Sequence, residues 1–534
     1  MVWTPYSYKV RLLLAAVGLS LAAGTAGAAV GPAPMTAQIS VTVDPWQAAG
    51  VSRFAGGLTH IDQSLTWGDA AAINSAQTVV AESTRFQNTH LMAWGAADPW
   101  PDPSTSGPTN WADLDQRVGL AVAAGATPMI TLAEAPWWMK GQRRPDGSTA
   151  LIPDAEGEWR ANYYGAALTD YRGLTYPAGY VSPSPYAARV LDNQMDKWLQ
   201  LVEAVAERYM APPYNVRYFQ VWNELKGYHN PLTNQWDYAD EAGDPSGPNA
   251  QHGYTYMYNQ VYARLQQVAA RLGLPPGSLR IGGPYVTFRT WANPGAGGFP
   301  ATEPALQGRA YGTYDQRDAD AIKYWLQHKV GAQFIVWDGG TKNRESVNLV
   351  DPYAASERFA DTVAWLRGLD PALYPGANTL PVAYAEWYAF PYDTTDPQQQ
   401  AAVKTYAAMR FIQAGGWLTL LWGGEERAEP HLDASLYTET NQSGGGRALP
   451  WAAAYRALQT HFGAGVMLAQ TTQTSSDIGV LASPHTTLLV NKTGNALAVS
   501  VNGVLVRLKP YQVYVLDTPP LVEAEHGRPD DMGS

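Results

Sequence analysis

The sequence predicts an α/β fold, a (β/α)8 TIM barrel with an appended antiparallel β-sandwich domain. Three observations predict it. Between residues 50 and 445, eight short apolar runs alternate with amphipathic stretches, and strand–helix alternation of that kind closes into a parallel barrel ringed by helices. The first run, "RFAGGLTHI", is not followed by the Gly-rich phosphate loop that an open doubly wound sheet usually carries. From about residue 464 the pattern changes to short alternating strands with turn residues between them, as in an antiparallel sheet with one buried face.

The elements follow in order. Residues 1–28 carry Lys9 and Arg11, then "LLLAAVGLSLAAG", then "AGA", the charged start, short apolar centre and small residues of a signal peptide. The competing reading is an N-terminal membrane anchor, for which the run is short and diluted by Gly and Ser. The mature chain is therefore expected to be secreted. In the leader 29–48, "AQISVTVD" alternates polar and apolar residues and predicts a strand that joins the β domain. The barrel is expected over 49–450. Its strands are "RFAGGLTHI", "STRFQNTHLMAW", "TPMITLAEAPWW", "VRYFQVWNE", "LRIGGPYV", "AQFIVWDGG", "LPVAYAEWY" and "GWLTLLWGG". The clearest helix lies at 186–209, where Leu191, Met195, Trp198, Leu199, Val202 and Val205 share one face. Residues 143–185, rich in Gly, Pro and Tyr, read as a loop elaboration. The β-sandwich is expected over 451–520, and 521–534 as a disordered tail.

Composition excludes several classes of function. A 534-residue chain with a net charge of -11 would be repelled by nucleic acid and anionic membrane. The absence of Cys removes disulfides, thiolate metal sites and Cys nucleophiles. The nine His show no paired metal-ligand spacing, so neither metal nor cofactor is expected. Twenty Trp and 31 Tyr against 10 Phe favour aromatics that combine a flat apolar face with a hydrogen-bonding edge, a surface suited to sugar rings.

In a parallel barrel, residues at the carboxyl ends of the strands converge on one face. Glu224 ends the fourth strand and Glu386 the seventh, and two carboxyls facing one another suit glycosidic cleavage. Glu134, Glu425 and Glu426 hold similar positions, so spacing alone does not single out the pair.

The ordered set "WNE" (222–224), "GGP" (282–284), "AEW" (385–387) and "LLW" (420–422) resembles the glycoside hydrolases of clan A, and most of all family 39. Members of that family include xylosidases, iduronidases and enzymes that cleave arabinogalactan or exopolysaccharide. The resemblance implies that Glu224 is the acid/base, Glu386 the nucleophile and Asn223 a donor to the substrate's 2-hydroxyl. It departs from the clan's WNEP, having Leu225 and Lys226, and its sixth strand ends in Trp337 and Asp338. Asp338, Trp422 as a stacking platform, His60 and Trp137 are further substrate-binding candidates. The implied function is that of a secreted retaining glycosidase acting on plant or microbial polysaccharide, such as arabinose-containing side chains of arabinogalactan or xylan-type substrates. The alternative is a non-catalytic carbohydrate-binding protein on the same barrel. Trp222 and Asn223 are expected to give Glu224 an uncharged setting that raises its pKa.

Overall fold

The computed structural model describes residues 39–521, apart from residue 62 and residues 94–95, 144–150, 154–167, 170–174, 177–188, 231–233, 240–251, 293–297, 345–350, 390–393 and 427–434. The predicted signal peptide, most of the 143–185 elaboration and nearly all of the predicted tail lie outside the described residues.

A leading strand, β1 (Ile39–Val51), precedes eight strand–helix units. These are β2 (Ala55–His60) and α1 (Ala70–Ser83), β3 (Phe86–His90) and α2 (Ala112–Ala123), β4 (Thr127–Leu132) and α3 (Met195–Met210), and β5 (Tyr218–Val221) and α4 (Tyr254–Arg271). They continue with β6 (Arg280–Thr287) and α5 (Gln316–His328), then β7 (Phe334–Gly340) with the short α6 (Pro352–Ser356) and α7 (Arg358–Gly368). Last come β8 (Val382–Tyr388) with α8 (Pro397–Gln413), and β9 (Leu418–Trp422) with α9 (Pro450–Phe462). Strands β2 to β9 pair in parallel in chain order and β9 closes on β2, giving an eight-stranded barrel.

Local chemistry explains the boundaries. Asp69, Asp351 and Asp396 accept hydrogen bonds from the first-turn amides of α1, α6 and α8, and in the last two Pro follows directly. The face of α3 that carries Trp198, Leu199, Val202 and Val205 is buried. Each such side chain contributes about 1.5–3 kcal/mol, against helix-propensity differences below about 1 kcal/mol per residue. Packing therefore decides that helix.

Side-chain alternation sorts the barrel into layers. Ala55, Phe86, Met129, Phe334, Val336, Ala383, Leu418 and Leu420 fill its floor. Above them runs a belt of buried polar groups from four adjacent strands: Asn88 donates to Thr59 (3.0 Å), Thr131 to Asn88 (3.0 Å) and Gln220 to Thr131. These bonds satisfy groups whose burial would otherwise cost about 1–3 kcal/mol each. Within β6, a Cβ at Gly282 would meet the Phe334 ring at 2.2 Å. The "GGP" glycine is there to let two strands and an aromatic ring approach closely.

The domain boundary is corrected. Residues 451–462, expected in the β domain, form α9, which packs on α1 and α8. Tyr455 accepts from the Gly57 amide (2.8 Å) and Gln459 from the Gly56 amide (3.2 Å). The helix covers the first barrel strand and belongs to the barrel, so the β domain begins after Gly463.

That domain contains β10 (Met467–Gln473), β11 (Ile478–Ala482), β12 (Thr486–Asn491), β13 (Leu497–Val501), β14 (Val504–Leu508) and β15 (Val513–Asp517). One sheet has the order β10-β1-β13-β14 and the other β11-β12-β15. Strand β1 is antiparallel to β10 and parallel to β13. Its Ile39, Val41 and Val43 enter a core shared with Val480, Leu489, Val499 and Leu508, which the barrel has no open face to cover. The sandwich rests on α8, where Gln413 donates to the Val480 carbonyl (3.1 Å).

Asn502 fastens the leading strand. Its side chain accepts from the Val43 amide (2.9 Å) and donates to the carbonyls of Val43 (2.9 Å) and Pro519 (2.8 Å), with its own backbone left-handed at φ 47°. Asn502→Ala should therefore lower stability by about 2 kcal/mol, from lost hydrogen bonds and the strain of Ala at positive φ. Asn502→Gly, which removes only the bonds, should lose less; equal losses in urea unfolding would contradict the backbone contribution.

Candidate active site

The apolar strand β5 ends on an amide and a carboxylate because the chain turns sharply there. Trp222, Glu224 and Leu225 are left-handed, at φ 68°, 49° and 51°, a conformation that costs non-glycine residues energy and persists only where packing enforces it. The enforcement comes from the Trp222 ring, packed edge-on against Trp198 at 5.8 Å, and from its Nε1–H, which donates to the Lys226 carbonyl (2.8 Å). The turn presents Asn223, Glu224 and Lys226 together.

Glu224, Asp338 and Glu386 meet at the barrel mouth, with one carboxylate oxygen of each within 4.8 Å of the others. Asp338 lies between Thr287 and Glu386 in the sheet register of β6, β7 and β8. Glu386 is 5% exposed and accepts three hydrogen bonds: from Asn223 Nδ2 (3.0 Å) and the Tyr285 hydroxyl (2.8 Å) on Oε1, and from the Tyr388 hydroxyl (2.6 Å) on Oε2. The Glu224 side chain is 24% exposed, and its Oε2 lies 2.6 Å from Lys226 Nζ. Lys226 also donates to Asn223 Oδ1. A continuous chain of contacts thus joins Glu386, Asn223, Lys226 and Glu224.

The electrostatics follow from this geometry. Burial, with the neighbouring charges of Glu224 and Glu386, pushes the Asp338 carboxyl well above the usual carboxylate range, opposed by Lys226. Burial and the charge of Glu224 also raise Glu386, with Lys226, Tyr388 and Tyr285 pulling the other way. Burial alone would raise Glu224; the Lys226 ammonium and hydrogen bonds with Asp338, Lys226 and Thr287 outweigh it, and its pKa falls below the ordinary range. This corrects the uncharged setting expected for Glu224: the ammonium two residues onward stands 2.6 Å from its carboxylate. Three carboxyls are the ingredients of a cation site, but the Lys226 ammonium already supplies the positive charge here, and we do not read the trio as a metal centre.

The other site candidates separate. Trp422 is at the mouth, 7% exposed, with its ring edge-on to His90 at 5.6 Å. His60 is turned away: Ala55 and Gly57 face the barrel interior, so Leu58 and His60 face the helices, where His60 Nε2 meets Gln87 Oε1 at 3.0 Å. The parity of the strand removes it from the site. The side chain of Trp137 lies outside the described residues. Glu134 is absorbed by a fully buried ion pair with Lys140 (2.7 Å), and Glu425 by the Thr440 amide (2.7 Å). Sequence reading missed Lys226, Tyr285, Tyr388 and His90. Tyr388 and His90 carried a period-two signal, falling two residues after Glu386 and in step with Phe86 and Asn88. His90 is fully buried, and burial with the charges of Lys226 and Arg117 holds its pKa well below the ordinary value, so the imidazole is neutral.

Fold and site together define a barrel with two opposed carboxylates at the ends of its fourth and seventh strands. No family model and no curated protein matches the chain. Similar solved structures include an endo-beta1,6-glucanase, at 10% identity over 91% of this chain and 96% of that one with a TM-score of 0.51. SrfJ from Salmonella typhimurium is similar at 9% identity over 90% and 92%, with a TM-score of 0.50. A GH39 beta-xylosidase from Caulobacter crescentus has 14% identity over 86% and 83%, with a TM-score of 0.46. GH30 enzymes also stand among the neighbours. At these identities the likeness is one of fold, and it spans most of the length of each chain.

Lys226 offers a test of the electrostatics. With its pKa held low, Glu224 contributes stability that is present above the ordinary carboxylate pKa and is lost as pH falls through the lowered one. Lys226→Met abolishes that contribution and leaves Glu386 with one counter-charge fewer. The variant should melt at a lower temperature than the wild type at pH 7, with a gap that narrows steadily towards pH 3. A gap independent of pH would show that the ammonium does not act on the carboxyls.

Proposed function

We propose that the protein is a secreted retaining glycoside hydrolase that cleaves plant or microbial polysaccharide by double displacement. The observation that carries this reading is the approach of Glu224 and Glu386 to within 4.8 Å. It matches the separation of about 5 Å used for retention rather than the 6.5–9.5 Å or so that leaves room for an inverting water.

The surroundings divide the roles. Glu386 is buried and fixed by three donors, which suits a nucleophile that must meet the anomeric carbon without adjusting its position. Tyr285 and Tyr388 have their phenol pKa values raised, first by burial, so they remain donors throughout. Glu224 is the more exposed of the two and can reach both a departing oxygen and an incoming water. The Asn223 amide, bound to Glu386 Oε1, sits where the sugar's 2-hydroxyl approaches and has a second hydrogen for it. Trp422, with His90 behind it, forms the wall against which the ring rests. Export follows from the N-terminal "LLLAAVGLSLAAG" segment and its flanks. Arabinose-containing side chains of arabinogalactan and xylan-type polymers are the proposed substrates.

The experiment is hydrolysis of aryl glycosides and branched polysaccharides, followed by azide rescue. The wild type should release product with retained configuration. Glu224→Ala should lose about 10²–10⁴-fold on unactivated leaving groups and yield a glycosyl azide of retained configuration. Glu386→Ala should be inert alone and yield the inverted azide. The opposite pairing would exchange the roles, and tight sugar binding with no turnover by the wild type would favour the non-catalytic alternative.

A further inference from the structure

The acid step needs a proton, and the ion pair with Lys226 favours the ionised form of Glu224. Asp338 lies within 4.8 Å of both catalytic carboxyls and is 2% exposed. Its Oδ1 receives no hydrogen bond from a donor among the described residues, and Thr287 Oγ1 approaches Oδ2 only to 3.4 Å. The charged and titratable groups facing it are Glu224 and Lys226 after β5, Tyr285 and Arg289 from β6 and its loop, and Glu386 and Tyr388 from β8. Arg289 is committed to Asp318, at 2.6 and 2.9 Å, and Lys226 to Glu224 and Asn223. Among the described residues, both cations that face Asp338 are held by other carboxylates, and a buried carboxylate without a counter-ion of its own is costly.

We infer that Asp338 is the positioning residue of the acid step: it keeps a proton in the resting site and passes it to Glu224 as Glu224 protonates the leaving group. This rests on the retaining-glycosidase reading. In glycosylation, Glu386 forms a bond to the anomeric carbon while the bond from that carbon to the aglycone oxygen breaks. The electron pair goes to the departing oxygen, which takes from Glu224 the proton that Asp338 passes to it, leaving Glu224 ionised as before and Asp338 newly ionised. In the second half, water attacks the same carbon, the Glu386 bond breaks with its electron pair returning to Glu386, and the water's proton travels through Glu224 to Asp338.

The charge of the cluster is constant throughout. Before attack Glu386 and Glu224 are ionised and Asp338 is neutral; after it Glu386 is an ester and Asp338 is ionised. In a buried site, where changing the net charge is costly, the third carboxyl exchanges its charge with the nucleophile. The raised carboxyl of Asp338 described above agrees with this assignment.

Asp338→Asn keeps the shape and polarity but has no proton to give. Its kcat/KM should fall about 10²-fold or more on aryl glycosides with poor leaving groups, and stay within a few-fold of wild type on the 2,4-dinitrophenyl glycoside, whose departure needs no acid. A loss of equal size on all leaving groups, or no loss, would overturn the inference. A second measurement depends neither on activity nor on the variant folding. Infrared spectra of wild type labelled with carboxyl-¹³C aspartate should show a protonated Asp band at pH 7 that disappears as pH is raised; its absence at pH 7 would overturn the proposal even in an active enzyme. Failure of the parent reading is seen separately, as a wild type without Glu386-dependent turnover of the dinitrophenyl substrate.

Discussion

Three carboxyl groups confined around one ammonium are the constraint on which this site depends. Like charges within 4.8 Å cannot all be ionised in a buried mouth without several kcal/mol of repulsion and desolvation, even at an effective dielectric near 20. The site meets that demand with Lys226 against Glu224 and three neutral donors on Glu386 and, on the inference drawn above, with a proton on Asp338. Each device has its own element: the turn after β5, the tyrosines of β6 and β8, and the end of β7. The rest of the barrel holds those elements in register.

Register is where the fold does its share. Along β8, Ala383 and Ala385 face the interior, and strict alternation would turn Glu386 outward. The pairing of β7 with β8 slips between Trp337 and Asp338, so that Trp337 opposes Tyr384 while Asp338 opposes Glu386. An irregularity of this kind re-aims side chains at the end of a strand. A similar slip in β6, between Pro284 and Val286, accompanies the left-handed Tyr285 (φ 47°), whose hydroxyl reaches Glu386. Two adjacent irregularities thus turn three consecutive strand ends towards one point.

This also accounts for what was legible in the sequence. Eight strands and their helices are visible because each obeys a simple period, and Glu224 and Glu386 because both end an apolar run. His60 was a plausible candidate by position and fails by parity, a property the sequence states but that strand-end reasoning alone ignores. The 451–462 helix is not legible as part of the barrel because a long segment separates it from the last barrel strand, and contact with β2, nearly 400 residues earlier, is what fixes it there. Lys226 and Tyr285 were hidden for a deeper reason. Their roles arise from positive φ angles and register slips, which no periodicity encodes.

The departure from WNEP acquires a physical meaning at this point. Leu225 has φ 51°, whereas proline is locked near about -65°, so a proline there could not make this turn. With leucine the chain can fold back over one residue, the Trp222 indole can bind the Lys226 carbonyl, and the Lys226 ammonium can arrive beside Glu224. The substitution and the ion pair are therefore two consequences of one backbone choice. That choice lowers the pKa of Glu224, and on the proposed reading, in which Glu224 is the acid, the site needs a proton held elsewhere. The Asp338 carboxyl on β7, pushed the opposite way by burial and by the charges of Glu224 and Glu386, is the complement that the turn after β5 then requires.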